Sequence, residues 1–365
     1  AARRDVARSA NIEALHHFNR ALDVLKDLPQ GPERDALELE LLLARGAPLL
    51  SVKGYASDEM EHNYRRAKEL SQEQSDSVHQ FRAGWGLWTF HMVRGQLANA
   101  CDLAEDLLAL ATREQRSDLM IRAHLSVGTT YFWLGRFDEA KTHLLATKSL
   151  YDPTQHRAHA VLYGQDLGIS ARIFLARTLW ILGEVEQVEP LALEAIGMAR
   201  ELEHPFTLVF TLCHLSFIYS TVRNAKKTRE LADEAVALST QYGFELTLAW
   251  ATFSQGLALA QTGQEEGLGT LLQGLSATRA AGANLSNTFT MALLAEIYLR
   301  HNRIDEGLAT IEEAQKLAVT GGELFWHAEL LRLKGELLLR QSDQSILAAE
   351  QCLCEALMVA QYQHA

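Results

Sequence analysis

The sequence predicts an all-α superhelix, or solenoid, of about eight helix–turn–helix units with a period near 40 residues. Three observations carry this expectation. A small residue recurs at Ala47, Gly128, Ala176, Ser216, Gly256, Ala295 and Gly335, with Trp88 holding the remaining place in the series. The steps run 41, 40, 48, 40, 40, 39 and 40, and a fixed period in this range marks a stacked helical array. The turn after the first helix of most units carries Gly or Asn, at Gly95, Gly135, Gly183, Gly263 and Asn302, residue types that tolerate left-handed backbone. No stretch alternates strictly enough, with β-branched residues, to read as a strand.

The elements follow in order. A lone helix at about Asn11–Leu28 is broken by Pro29-Gln30-Gly31-Pro32. The first full unit surrounds Ala47, and Pro48 is awkward there because it falls inside an inferred helix. The Gly128 unit shows the grammar best. Gly128 sits mid-helix at a cost of ~1 kcal/mol against Ala, which close approach by a neighbouring helix would explain. Gly135 ends that helix, and Ala140 and Leu144 share one face of the next. Ala- and Leu-rich amphipathic stretches follow the turns at Ala98–Leu110, Glu184–Leu202, Thr228–Leu238 and Glu306–Leu317. The Ser216 unit has Arg223-Asn224 in its turn. The 48-residue step places an insertion at Tyr151–Asp166, read as a loop opened by Asp152-Pro153. Insertions in such arrays map to one face, often the binding face, and a neutral loop expansion is the other reading.

Composition narrows the function classes. The net charge of −12 opposes sequence-independent binding to nucleic acid, and no nucleic-acid partner is expected. No apolar run approaches the ~20 residues that span a bilayer, so no membrane partner is expected either. Four scattered cysteines show no disulfide or zinc spacing; reduced, buried thiols in a cytoplasmic protein are the expectation. The chain starts Ala-Ala-Arg-Arg and ends in an inferred helix. It reads as one array over residues 1–365, cut from a longer protein.

The Tyr three residues after the small position (Tyr131, Tyr219, Tyr298), the turn Gly, and Phe137 two beyond Gly135 resemble the tetratricopeptide-repeat class. The period departs from that class, and helices of ~18 residues would account for it. The length resembles the repeat superhelix of bacterial signalling ATPases, including the maltose-operon activators. An ordered set of phrases covers nearly the whole chain: Arg8-Ser9-Ala10-Asn11, Leu28-Pro29-x-Gly31-Pro32-Glu33-Arg34, Lys53-Gly54-Tyr55-Ala56, Trp85-Gly86-Leu87-Trp88, Phe132-Trp133-Leu134-Gly135, Leu150-Tyr151-Asp152-Pro153, Leu162-Tyr163-Gly164-Gln165-Asp166 and Leu333-Lys334-Gly335-Glu336. Together these resemble the C-terminal repeat region of bacterial proteins that join a class III adenylate/guanylate cyclase or kinase domain to a predicted signalling ATPase. The resemblance implies a regulatory or sensory arm. The cyclase and ATPase motifs are absent from the segment, so neither activity is carried over.

No catalytic constellation emerges, and no cofactor is expected. There is no phosphate-binding Gly-x-x-x-x-Gly-Lys-Ser/Thr loop. Gly267, Gly269 and Gly274 superficially mimic a dinucleotide fingerprint, but they fall inside an inferred helix with no strand before them. His156 and His159 lack a third ligand nearby, so no metal is expected.

A ligand would sit on the concave face. By register, positions six and three before the small residue and one after it point inward. They supply Arg82, Trp85, Arg122, Thr129, Arg177, Phe210, Trp250, Phe253 and Phe289, with Thr89, Leu125, Ser170, Ile173, Cys213, Phe217 and Glu296 in the same register. Tyr163, Gln165 and Asp166 of the insertion join the candidates. Aromatic walls with a few polar groups suit a peptide or an organic ligand, and arginine suits a carboxylate or phosphate on it. Aromatics at helical spacing equally suit an inter-helix core. The expected function is a non-catalytic protein–protein interaction arm of a bacterial signalling protein, docking a peptide or a neighbouring domain of the same polypeptide. The alternative is a small-molecule effector sensor.

Overall fold

The computed structural model describes residues 11–54, 56–74, 76–156 and 166–365. Among them helices dominate and no strand occurs. A lone helix α1 (Asn11–Leu25) precedes eight antiparallel pairs. These are α2 (Pro32–Lys53) with α3 (Asp58–Glu73), α4 (Ser77–Val93) with α5 (Leu97–Glu114), and α6 (Ser117–Trp133) with α7 (Phe137–Leu150). After the single turn α8 (Pro153–His156) come α9 (Leu167–Ile181) with α10 (Val188–Glu201), α11 (Pro205–Thr221) with α12 (Ala225–Tyr242), and α13 (Glu245–Gln261) with α14 (Glu266–Ala280). The last pairs are α15 (Asn287–Arg300) with α16 (Ile304–Gly321) and α17 (His327–Gln341) with α18 (Ile346–Gln363). The expected helical-repeat superhelix and its unit boundaries are observed. α2 runs on through Pro48.

One device ends the first helix of six successive units. The residue after the turn donates its N–H to the carbonyl five positions back, as Arg136 does to Tyr131 at 2.9 Å, Asn224 to Tyr219 at 2.9 Å and Arg303 to Tyr298 at 2.9 Å. That bond requires left-handed backbone at the residue before it. Gly135 supplies it with φ +76°, and Asn302 and Arg223 adopt it at +55° and +58°. Arg223 thus fills the glycine slot in the Ser216 unit. The repeat tyrosines pack over the same turns: the Arg136 guanidinium lies 3.7 Å from the Tyr131 ring centre, and that of Arg303 4.7 Å from Tyr298.

The recurring small residues are contact points between paired helices. A Cβ on Gly128 would lie 2.9 Å from Leu144, and one on Gly335 2.8 Å from Leu353. The α13–α14 pair goes further and brings backbone against backbone. Added carbons on Gly256, Gly267 and Gly274 would fall 2.2 to 2.4 Å from main-chain nitrogens of the partner helix. The glycines that mimic a dinucleotide fingerprint are therefore packing glycines, apart from Gly269, which meets nothing. Where Trp88 replaces the small residue, the close contact moves one turn earlier to Gly84, against Leu107 at 3.0 Å. The Trp88 indole N–H is then free to donate to Thr130 Oγ1 at 2.9 Å.

The array curls until its second turn rests on its first. The N–H groups of Asn284 and Leu285, before α15, donate to Val93 O at the end of α4, at 2.9 and 3.0 Å. Four units separate these partners. The next unit repeats the contact: Leu324 and Phe325, before α17, donate to Trp133 O at the end of α6, at 2.9 and 3.2 Å. Beside Phe325, Trp326 stacks on Trp180 of α9 at 5.7 Å.

Two expectations need correction. The cysteines are not uniformly buried: Cys213 is, Cys101 and Cys352 are half-buried, and Cys354 is exposed. The insertion is not wholly irregular, because Asp152 accepts from Thr154 N at 2.9 Å and starts the one-turn helix α8. His159, Tyr163 and Gln165 lie outside the described residues.

Candidate functional site

Curling of the first helices leaves a row of cavities along the superhelix interior. The central one, a chamber of about 90 Å³, has an almost entirely apolar wall. Its lower turn comes from α4, α6, α9 and α11 through Trp88, Thr129, Trp133, Arg177, His214 and Phe217. Trp250 of α13 adds a wall, and the upper turn closes it with Leu285, Ser286, Asn287 and Thr290 at the start of α15. The latch bonds to Val93 O therefore sit at the edge of the chamber.

The lining follows a helical stripe. In α11 it runs Phe210, His214, Phe217 and Thr221, spaced i, i+4, i+7, i+11; in α9 it runs Phe174, Arg177 and Ile181. Relative to the small residue these are positions −6, −2, +1 and +5. The expected positions −6 and +1 hold for several units, but −3 does not: Leu125, Ile173, Cys213 and Phe253 are buried in the core and line no part of the chamber. An apolar stripe about 100° wide admits either −3 or −2, and packing of the second helix decides between them.

Of the remaining candidates, Thr129, Arg177, Phe210 and Trp250 line the chamber. Phe289 lies beyond Arg177, in a small cavity shared with Phe132 and Trp326. Arg82 and Trp85 line a separate small cavity that meets the chamber at Thr89, and Arg82 donates to Leu43 O at 3.4 Å. Arg122 is buried outside the lining. Asp166 caps α9: its carboxylate accepts from Ile169 N at 2.9 Å and from the Tyr151 hydroxyl at 2.7 Å, and burial raises its pKa against those bonds. Trp133, Phe174, His214 and the α15 residues were not legible at −6, −3 or +1.

Arg177 dominates the electrostatics. It is only 7% exposed, and its guanidinium carbon lies 4.7 to 5.9 Å from the ring centres of Phe132, Trp133, Phe174, Phe289 and Phe325. Among the described residues no carboxylate pairs with it and no acceptor hydrogen-bonds it. Burial lowers its pKa to about 9 while Glu323 acts in the opposite sense, so it stays charged at neutral pH. Glu323 is engaged elsewhere. It accepts from Ser286 N at 3.0 Å and from the Thr288 hydroxyl, capping α15 from the loop before α17. Burial pushes its carboxyl up to about 7 despite those bonds. His214 is buried, its Nδ1 has no partner, and burial with Arg177 nearby holds its pKa well below the usual value.

No cluster of three metal-ligating side chains occurs among the described residues, and no helix there is long and apolar enough to cross a membrane. No family model matches the chain. It is 22% identical over 364 residues to an uncharacterized protein of Rhizobium meliloti (strain 1021), covering 98% of this chain but 35% of that protein. The fold is similar to that of a Rap protein complexed with competence and sporulation factor, with TM-score 0.65, 12% identity, and 99% and 96% of the two chains covered. It is also similar to the Rap conjugation gene regulator of plasmid pLS20 in complex with the Phr* peptide, with TM-score 0.57, 12% identity, and 98% and 92% covered. At these identities the likeness establishes a shared helical-repeat fold.

Proposed function

We propose that this chain is a non-catalytic regulatory arm whose interior receives one end or side chain of a peptide, and that occupancy sets how firmly the two turns are latched. The observation that carries this reading is the position of the chamber, whose lining comes from both turns at the point where Asn284 and Leu285 bond Val93 O. A ligand that touches both turns stabilises the closed form by its differential affinity for it. The two similar Rap structures, by their names, hold a factor or a peptide. Because the chain spans about a third of its longer relative, a neighbouring domain of the same polypeptide, of the signalling kind, is the natural recipient of the change. A second reading, a small-molecule effector, is favoured by size: about 90 Å³ holds a compact group and not an extended peptide backbone.

The test is selection from a random pentapeptide library, read by tryptophan fluorescence and by amide exchange at Asn284 and Leu285. Bound peptides should slow that exchange, and Thr129→Phe, which fills the chamber, should abolish both signals. Peptides that bind Thr129→Phe as well as the parent would place docking elsewhere.

A further inference from the structure

We infer that the chamber takes a compact carboxylate carrying an aromatic or apolar group, with the carboxylate held by Arg177 and the apolar part among Trp88, Trp133, Phe217 and Trp250. This rests on the chamber being the ligand site and adds the chemistry of what enters it.

A guanidinium taken out of water without a carboxylate or hydrogen-bond partner is destabilising, and ring faces recover only part of that. Arg177 is in that position: more than nine-tenths buried, aimed into the chamber, and surrounded by five rings. The nearby carboxylate, Glu323, spends its oxygens on the start of α15. The guanidinium fork is matched to a carboxylate, which it binds in bidentate fashion. His214, the other titratable group in the wall, is neutral and adds no competing charge. Six of the other lining residues are Trp or Phe, Met92, Val93 and Leu285 add apolar surface, and threonines with Ser286 and Asn287 add hydroxyl or amide groups. Such a wall suits a flat apolar ring better than a polyphosphate. Two sources share this chemistry: a free aromatic acid, and the C-terminal carboxylate of a peptide ending in an apolar residue.

The experiment is a thermal-shift and calorimetric series on the whole chain. The probes are phenylacetate and indole-3-acetate, their carboxamides, and a tetrapeptide ending in Phe as free acid and as amide. The acids should raise Tm and bind at least about tenfold more tightly than their amides. Binding by the small acids alone identifies a free acid as the source; binding by the peptide acid alone identifies a peptide terminus. Arg177→Met should abolish acid binding while raising the Tm of the unliganded protein, because it removes an uncompensated charge. Glu323→Gln should tighten acid binding, because it removes the internal negative charge. Amides that bind as well as acids would overturn the anion anchor and leave the chamber standing as a docking site. A lower Tm in Arg177→Met without tighter binding in Glu323→Gln would make Arg177 a structural residue and overturn the proposal. If neither acids nor amides bind at millimolar concentration the proposal fails, and the peptide selection judges the chamber separately.

Discussion

At Arg177 and Glu323 two opposite charges share the interior without forming an ion pair, each shifted toward its neutral form by burial. The Glu323 shift has a consequence for stability. Its folded pKa, about 7, lies above its ordinary 4.5, so the folded state holds the proton more tightly. Its contribution is therefore fully present below pH 4.5 and is lost as pH rises toward 7. Partly or fully buried histidines (His124, His204 and His214 among them) act in the opposite sense, since their lowered pKa values favour the folded state as pH rises to 6.5. The difference between the parent and Glu323→Gln isolates the carboxyl. In urea unfolding, the stability of the parent relative to the variant should fall between pH 4.5 and 7, by up to about 3 kcal/mol. A flat difference would mean that the carboxyl ionises normally.

At the scale of elements, the α13–α14 pair separates what a helix wants from what a pair wants. Glycine is a poor helix former, yet Gly256, Gly267 and Gly274 let two backbones touch. Gly269 lies in the same helix as the last two, with nothing around it. Gly274→Ala should cost about 3 kcal/mol through overpacking, whereas Gly269→Ala should stabilise by up to about 1 kcal/mol through helix propensity alone. Chemical denaturation of the two variants checks both signs. The pair also shows how far the sequence can be read. A glycine-rich helix is legible there, and so is its unfitness as a nucleotide loop. Which glycines meet a neighbour depends on the rotation of α14 about its axis. The chamber wall has the same limit: −2 and −3 are about 100° apart on a helix, and only packing chose His214 over Cys213 to face the cavity.

For the whole molecule, the decisive event is closure of one turn on the next. Phe325 is central, its N–H on Trp133 O and its ring 4.7 Å from Trp133 and 5.1 Å from Phe132. Phe325→Ala should cost about 3–4 kcal/mol and speed exchange of the Leu324 amide, with helix content unchanged by circular dichroism. Unchanged exchange would show that other contacts hold the turns together.

The sequence by itself determined the class of fold, the number and order of the units, and the turn residues that end the first helix of most units. These depend on hydrophobic period and turn chemistry, which act over a few residues. It also marked Thr129, Arg177, Phe210 and Trp250 as inward-facing. Tertiary structure decided that the array closes on itself, that Leu285 to Thr290 roof the chamber, and that Glu323 caps a helix in a different unit. Closure is the sum of small rotations between successive units. An error of a few degrees in each decides whether Val93 and Leu285 meet, and no local pattern records that sum.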